Sequence, residues 1–177
     1  HDDHMGAMSE DDDHDDHDEH GHAEGLLEAN YMQQNAELDG YELEIGRIFN
    51  LDNGDLEVSF GRDVVNGTLA DGMNIPRLSP ARNIYSVKYF ANDYLFDLSF
   101  KDVDDQKDVA EEETPTMGYQ MLDTKLVKTF DLNGNSLRVS VFANNLLDEV
   151  ARNHSSFVKN QVPLPGRNYG IRFNLTF

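Results

Sequence analysis

The first 24 residues concentrate side chains that bind metal ions. They hold six of the seven histidines and 11 of the 34 acidic residues, without any Lys or Arg. Between His14 and His22 the imidazoles recur at spacings of 3, 3 and 2, with carboxylates between them. Imidazole nitrogen and carboxylate oxygen are good ligands for borderline divalent ions, and a pliable segment can fold four such groups around one tetrahedral ion. We therefore predict a divalent-metal site in this segment.

The predicted first coordination shell consists of four histidines, and neighbouring groups are further candidates. The full set is His14, His17, His20, His22, Asp15, Asp16, Asp18, His4 and His1. The segment has almost nothing apolar to bury, so we expect it to be disordered without metal and to become ordered on binding. The alternative interpretation is a solvated acidic segment with no specific ion.

Composition excludes several classes of protein. The formal net charge is −20, and without the first 24 residues it is 14 − 23 = −9. A field this negative argues against a nucleic-acid partner. The absence of cysteine excludes a disulfide framework, a Cys-type zinc site and a Cys nucleophile. Neither a nucleophile–base pair nor a phosphate-binding glycine loop stands out, so we predict neither enzymatic activity nor a catalytic cofactor.

From Leu26 onward, apolar and polar residues alternate with a period of two, which is typical of β-strands. The last ten residues are the clearest case, because five apolar side chains occupy every second position there. These are Tyr169, Ile171, Phe173, Leu175 and Phe177. The pattern predicts seven strands, near residues 28–49, 55–64, 83–91, 94–101, 119–130, 136–145 and 168–177.

Connections between the predicted strands alternate in length. Tight turns are predicted at 52–54, 91–93 and 133–135, whereas 65–82, 102–118 and 146–167 are long connections. Loops that long are unusual in a compact soluble domain, and short turns opposite long loops are typical of an outer-membrane barrel. Such barrels have an even number of strands in bacteria, so seven strands predict one part of a larger barrel. The alternative is a soluble antiparallel sandwich.

The closing motifs resemble the C-terminus of TonB-dependent outer-membrane receptors. They are Leu137-Arg138-Val139-Ser140-Val141-Phe142-Ala143-Asn144-Asn145-Leu146-Leu147-Asp148-Glu149, then Ala151-Arg152-Asn153-His154 and Pro163-Leu164-Pro165-Gly166-Arg167-Asn168. Weaker matches are Asn30-Tyr31 through Gly40-Tyr41-Glu42-Leu43-Glu44, residues 75–82 and residues 113–119. The resemblance covers about residues 26–177.

The resemblance implies an all-β, antiparallel, up-and-down transmembrane β-barrel of 22 strands, of which this chain supplies the last seven. It implies that residues 1–25 form an extracellular His/Asp-rich loop. Residues 26–177 would then form barrel wall with a periplasmic C-terminus. The implied location is the outer membrane of a Gram-negative bacterium, in contact with lipid. The implied partners are the TonB complex, reached through an N-terminal plug that these 177 residues lack, and the barrel-assembly machinery. The alternating residues 169–177 resemble the signal that this machinery reads.

The expected function is uptake of a metal ion captured by the His/Asp loop. Zinc is favoured by its abundance and by the resemblance to zinc-uptake members with His-rich external loops, although raw affinity favours Cu²⁺. The alternatives are a receptor for a siderophore, haem or cobalamin, and, from another class, a soluble extracellular metal-binding β module.

Secondary candidates lie outside the His segment. His154 and Arg152 are expected at the surface of the last external loop, with hydrogen bonding as the main role and substrate contact as the second. A second acidic loop is expected to be solvated, with attraction of cations inward as the alternative, and an inward-facing set of acids could line a conduction path. The first comprises Asp102, Asp104, Asp105, Asp108, Glu111, Glu112 and Glu113, and the second Glu42, Glu44, Glu57, Asp97 and Asp123.

Overall fold

The computed structural model describes residues 33–177, which contain a single seven-stranded antiparallel sheet. The strands are β1 (Ala36–Leu51), β2 (Gly54–Leu69), β3 (Arg82–Ala91), β4 (Tyr94–Val103), β5 (Tyr119–Leu132), β6 (Asn135–Asn144) and β7 (Asn168–Thr176). Each strand pairs with its neighbour in the chain, so their order in the sheet is β1 to β7. No helix in residues 33–177 is long and apolar enough to cross a membrane.

The predicted fold class and the seven predicted strands are confirmed, with two boundaries that differ. Within the described residues β1 begins only at Ala36, after its predicted start near residue 28, and the end of β2 also lies beyond its predicted position. This strand continues to Leu69, five residues beyond its predicted end. Asn66-Gly67 interrupts the alternation, but β1 supplies the backbone partners there, with Leu38 opposite Gly67 and Glu37 opposite Thr68. Strand pairing therefore overrides a weak local pattern, as is common for β-structure.

Short turns and long loops lie at opposite ends of the sheet. The turns at 52–53, 92–93 and 133–134 each contain two residues. Asn133 and Gly134 both have positive φ, of 55° and 95°, as the favoured type of two-residue hairpin turn requires. The long connections are loop A (residues 70–81), loop B (residues 104–118) and loop C (residues 145–167).

Strand register gathers the apolar side chains on one face of the sheet, called the apolar face here. One row across five strands contains Ile45, Phe60, Tyr85, Phe100 and Leu122. The three rings in it pack side by side, with centroids 5.1 and 6.1 Å apart. Because paired positions share a face, every strand contributes apolar side chains to the same surface.

The opposite, polar face carries charges of both signs. Glu57 lies 3.5 Å from Lys88 in one row, and Asp63 lies 2.6 Å from Arg82 in another. The large apolar side chains of the strands that remain exposed belong mainly to the apolar face. A face of this kind requires an apolar environment.

Candidate functional site

The predicted metal segment and its nine candidate ligands lie outside the described residues. The site at His14, His17, His20 and His22 therefore stays a prediction. Within residues 33–177 there is no group of three or more His, Asp or Glu side chains that could hold a metal ion. Three buried ionisable side chains of the described part, those of Glu113, His154 and Lys159, gather instead where the long loops meet.

Loops A, B and C converge on one buried carboxylate, that of Glu113 in loop B. It accepts hydrogen bonds from the backbone amides of Arg77, at 3.1 and 3.2 Å, and of Ala110, at 3.4 Å. Lys159 Nζ donates to Oε1 at 2.8 Å, and His154 Nε2 lies 3.0 Å from the same oxygen. The carboxylate thus joins the three loops, although Lys159 is 46 positions away in the sequence.

His154 is buried in this cluster and is only 2% exposed. Its Nδ1 lies 2.9 Å from Thr116 Oγ1, while Nε2 faces Glu113. The expected surface position was wrong, because loop C folds back against loop B and excludes water from the ring. Both ring nitrogens are engaged in loop packing. Substrate contact by His154 and Arg152 stays a prediction; Arg152 donates to the backbone oxygen of Lys159.

We call Glu113, Thr116, His154 and Lys159 the loop latch, and burial, hydrogen bonds and neighbouring charges together set the pKa of its groups. Burial raises the pKa of Glu113, but hydrogen bonds from Lys159 and from two backbone amides outweigh this, so the pKa lies below its ordinary value. Burial, together with the positive charge of Lys159, lowers the pKa of His154 against the opposing effect of Glu113. At neutral pH the latch holds an ion pair beside an uncharged imidazole.

Acidification is expected to weaken the latch. His154 binds a proton less readily when folded than when unfolded, so stability falls as pH drops below about 6.5, by at most about 1.4 kcal/mol per pH unit. The lowered pKa of Glu113 acts in the same direction at lower pH, because its stabilisation is lost as the carboxylate becomes protonated. Urea unfolding followed by circular dichroism between pH 7.5 and 5.5 measures the effect. His154→Gln is expected to flatten this dependence, and an unchanged slope would contradict the assignment to His154.

Further contacts extend the latch into a continuous layer over the end of the sheet. The Arg77 guanidinium lies 3.1 Å from the centroid of the Phe157 ring, which joins loop A to loop C. Asn74 and Gln106 each bond a backbone oxygen of another loop, at 3.1 and 3.2 Å, and Thr114 bonds Asn160 at 3.0 Å. The long loops are therefore packed against one another.

Asn145 begins loop C and organises the motif that carries the family resemblance. It is 1% exposed and has a positive φ of 50°, a backbone conformation that Asn tolerates well. Its Nδ2 donates to the backbone oxygens of Glu149 and Pro165, at 2.9 and 3.2 Å, and its Oδ1 accepts from the Glu149 amide at 3.0 Å. Its own amide donates to Asp123 at 2.8 Å. The side chain thus joins residues 145–149 to Pro165, and the backbone amide holds the start of loop C to β5.

The acidic residues of loop B and its flanks divide into three groups. Four of them line an open cavity together with Glu149, namely Asp102, Asp104, Asp105 and Asp108. Lys107 is also at this cavity and pairs with Asp105 at 2.6 Å. Glu111 and Glu112 are exposed, as expected. The expectation of a solvated side chain was wrong for Glu113, because donors from three loops enclose its carboxylate.

The acids predicted to face inward share the polar face of the sheet. These are Glu42, Glu44, Glu57, Asp97 and Asp123. Two of them have specific partners, since Glu57 pairs with Lys88 and Asp123 holds the start of loop C. Their role in conduction stays a prediction.

The last strand presents its alternating residues on the apolar face. Four side chains of β7 pair with apolar residues of β6 and are nevertheless 54–68% exposed, namely Tyr169, Ile171, Phe173 and Leu175. Phe177 follows the strand at 97% exposure. Recognition of this strand by an assembly machinery stays a prediction.

Up-and-down strand order, one apolar and one polar face, and short turns opposite long loops define the wall of an outer-membrane type of β-barrel. The solved structure of copper transporter OprC has this fold, with a TM-score of 0.68 and 18% sequence identity. The match covers 81% of this chain and 24% of that one, so this chain spans about a quarter of its length. No protein-family model and no curated protein sequence matches the chain.

Proposed function

We propose that the chain is part of a TonB-dependent outer-membrane receptor that takes up a metal ion. The observation that carries the proposal is the sheet itself, whose exposed apolar face suits lipid while its charged face suits a water-filled lumen. The remaining strands of a 22-stranded barrel, the plug and the link to the TonB complex belong to this proposal. It includes no catalytic step.

In this arrangement the short turns face the periplasm and the long loops face the exterior. Loops A, B and C then cover the outer mouth of the barrel, where the cavity of Asp102, Asp104 and Asp105 concentrates cations. Residues 1–24 precede β1 in the sequence, and the proposal assigns them to the extracellular side as the segment that captures the metal ion first. Capture outside and attraction toward the mouth are successive steps of one electrostatic path.

Zinc is the proposed cargo, and copper is the competing one. Zinc has the support of abundance and of the resemblance described above. Copper has the support of the similar solved structure, which is that of copper transporter OprC. Copper(II) also binds nitrogen and oxygen ligands more tightly than zinc does in the general affinity order of divalent ions.

Calorimetric titration of the full chain in a neutral detergent with Zn²⁺, Cu²⁺ and Ni²⁺ at pH 7.4 tests capture. Replacing His14, His17, His20 and His22 with Ala is expected to weaken binding by at least about 100-fold, because carboxylates and backbone oxygens poorly replace imidazole for these ions. His154→Gln is the matched control, since that imidazole is buried in the loop latch. Unchanged affinity in the quadruple variant would contradict the ligand assignment.

Fractionation of cells that make the protein tests the receptor class. We expect it in the outer-membrane fraction, released only by detergent. A freely soluble monomer would instead favour the extracellular β module.

Haem is titrated under the same conditions as the three metal ions. Binding of haem in preference to all three would favour haem as the alternative cargo.

A further inference from the structure

A cavity of about 490 Å³ opens on the polar face where β5, β6 and β7 lie side by side. Three cationic side chains line it, those of Lys125, Arg138 and Arg172, together with the hydroxyl of Ser140 and amides of Asn144 and Asn174. Its lining includes no carboxylate. This is unexpected in a chain of net charge −20.

Strand register explains why the three cations meet. Each cation belongs to a different row of paired residues. Lys125 pairs with Phe142, Arg172 pairs with Ser140, and Arg138 pairs with Asn174. They therefore occupy three successive rows on one face, at diagonal positions that long side chains readily span. All three residues are exposed, so their charged ends are accessible.

Two other cations on this face have carboxylate partners, whereas these three do not. Arg82 lies 2.6 Å from Asp63, and Lys88 lies 3.5 Å from Glu57. Among residues 33–177, no carboxylate comes within the 4.0 Å ion-pair limit of Lys125, Arg138 or Arg172. Their positive charges reinforce one another, which makes the cavity attractive to anions.

Phe142 supplies an apolar wall to the same cavity. A Cβ atom added to Gly170 would lie 2.3 Å from Phe142 Cζ, so the ring covers the β7 backbone at this glycine. The ring therefore gives the cavity one apolar side.

We propose that Lys125, Arg138 and Arg172 form a binding site for a small oxyanion carrying two or more carboxylate or phosphate charges. Two guanidinium forks suit the paired oxygens of such groups, and the lysine adds a point charge. The inference goes beyond the proposed function, since the His/Asp segment recruits cations and this site recruits anions.

Calorimetric titration of the full chain in a neutral detergent, with inorganic phosphate and with citrate, tests the site. We expect saturable binding of at least one anion, and the stronger ligand identifies the preferred group. Arg138→Gln and Arg172→Gln are each expected to weaken binding about tenfold, the usual effect of losing one charge-assisted hydrogen bond. Lys101→Gln makes a similar charge change on the polar face outside the cavity and is expected to stay within about twofold.

A second measurement uses the unaltered chain and so does not depend on the variants folding. Citrate and phosphate are expected to protect Arg138 and Arg172 from phenylglyoxal modification, read by mass spectrometry, while Arg47 on the apolar face reacts as before. The proposal is overturned if neither anion binds saturably, if Lys101→Gln weakens binding as much as Arg138→Gln, or if neither arginine is protected.

Discussion

Replacing Glu113 with Ala is expected to destabilise the chain by about 3–5 kcal/mol, the usual cost of removing one member of a buried ion pair. The carboxylate is only 9% exposed. Its loss leaves the ammonium of Lys159, which is 7% exposed, without its acidic partner. The amides of Arg77 and Ala110 lose their acceptor at the same time. Loops A and C should therefore separate from loop B.

Urea unfolding in detergent micelles, followed by circular dichroism, measures the loss, and limited proteolysis of residues 145–167 reports the release of loop C. Glu112→Ala removes the same charge from the exposed neighbour and should stay within about 0.5 kcal/mol of the unaltered chain. Glu113→Gln retains an acceptor oxygen and should give an intermediate loss. Equal stability of the Glu112 and Glu113 variants would show that the latch does not stabilise the loops.

Asn145→Ala is expected to cost about 3–5 kcal/mol. Three side-chain hydrogen bonds disappear at a position that is 1% exposed, leaving two backbone oxygens and one amide without their partners. Alanine also tolerates the positive φ of 50° less well than Asn does. Residues 145–149 should then separate from residues 163–167, while the backbone amide of residue 145 still bonds Asp123.

The same unfolding experiment measures this loss, with Asn153→Ala as the matched control. Asn153 is an exposed asparagine of the same loop whose side chain accepts a single bond, from the Ser155 amide at 3.2 Å. Its replacement should cost less than about 1 kcal/mol. Comparable losses in both variants would mean that Asn145 does not organise the motif.

The strands were predictable because their signal is local. Alternation over eight or more residues, as in residues 169–177, reports directly which side chains share a face. Asn-Gly at 133–134 likewise encodes its own turn through the positive φ that both residues accept. The metal ligands among residues 1–24 follow from residue chemistry and remain a prediction that the titration experiments test.

The loops required the tertiary structure. Glu113 stands within a run of acids that suggests a solvated surface, and His154 has no other histidine near it in the sequence. Their contact spans 41 positions, because it is made only when strand pairing brings loops B and C to the same end of the sheet. The oxyanion site has the same origin, since register alone places Lys125, Arg138 and Arg172 in adjacent rows.

The sequence by itself therefore determined the strand order, the two faces and the concentration of imidazole and carboxylate at one end of the chain. These depend on side chains a few positions apart. Tertiary structure alone decided which charges are buried, which are paired and which are left facing a cavity, because long-range pairing sets the distances on which Coulomb energy and desolvation depend.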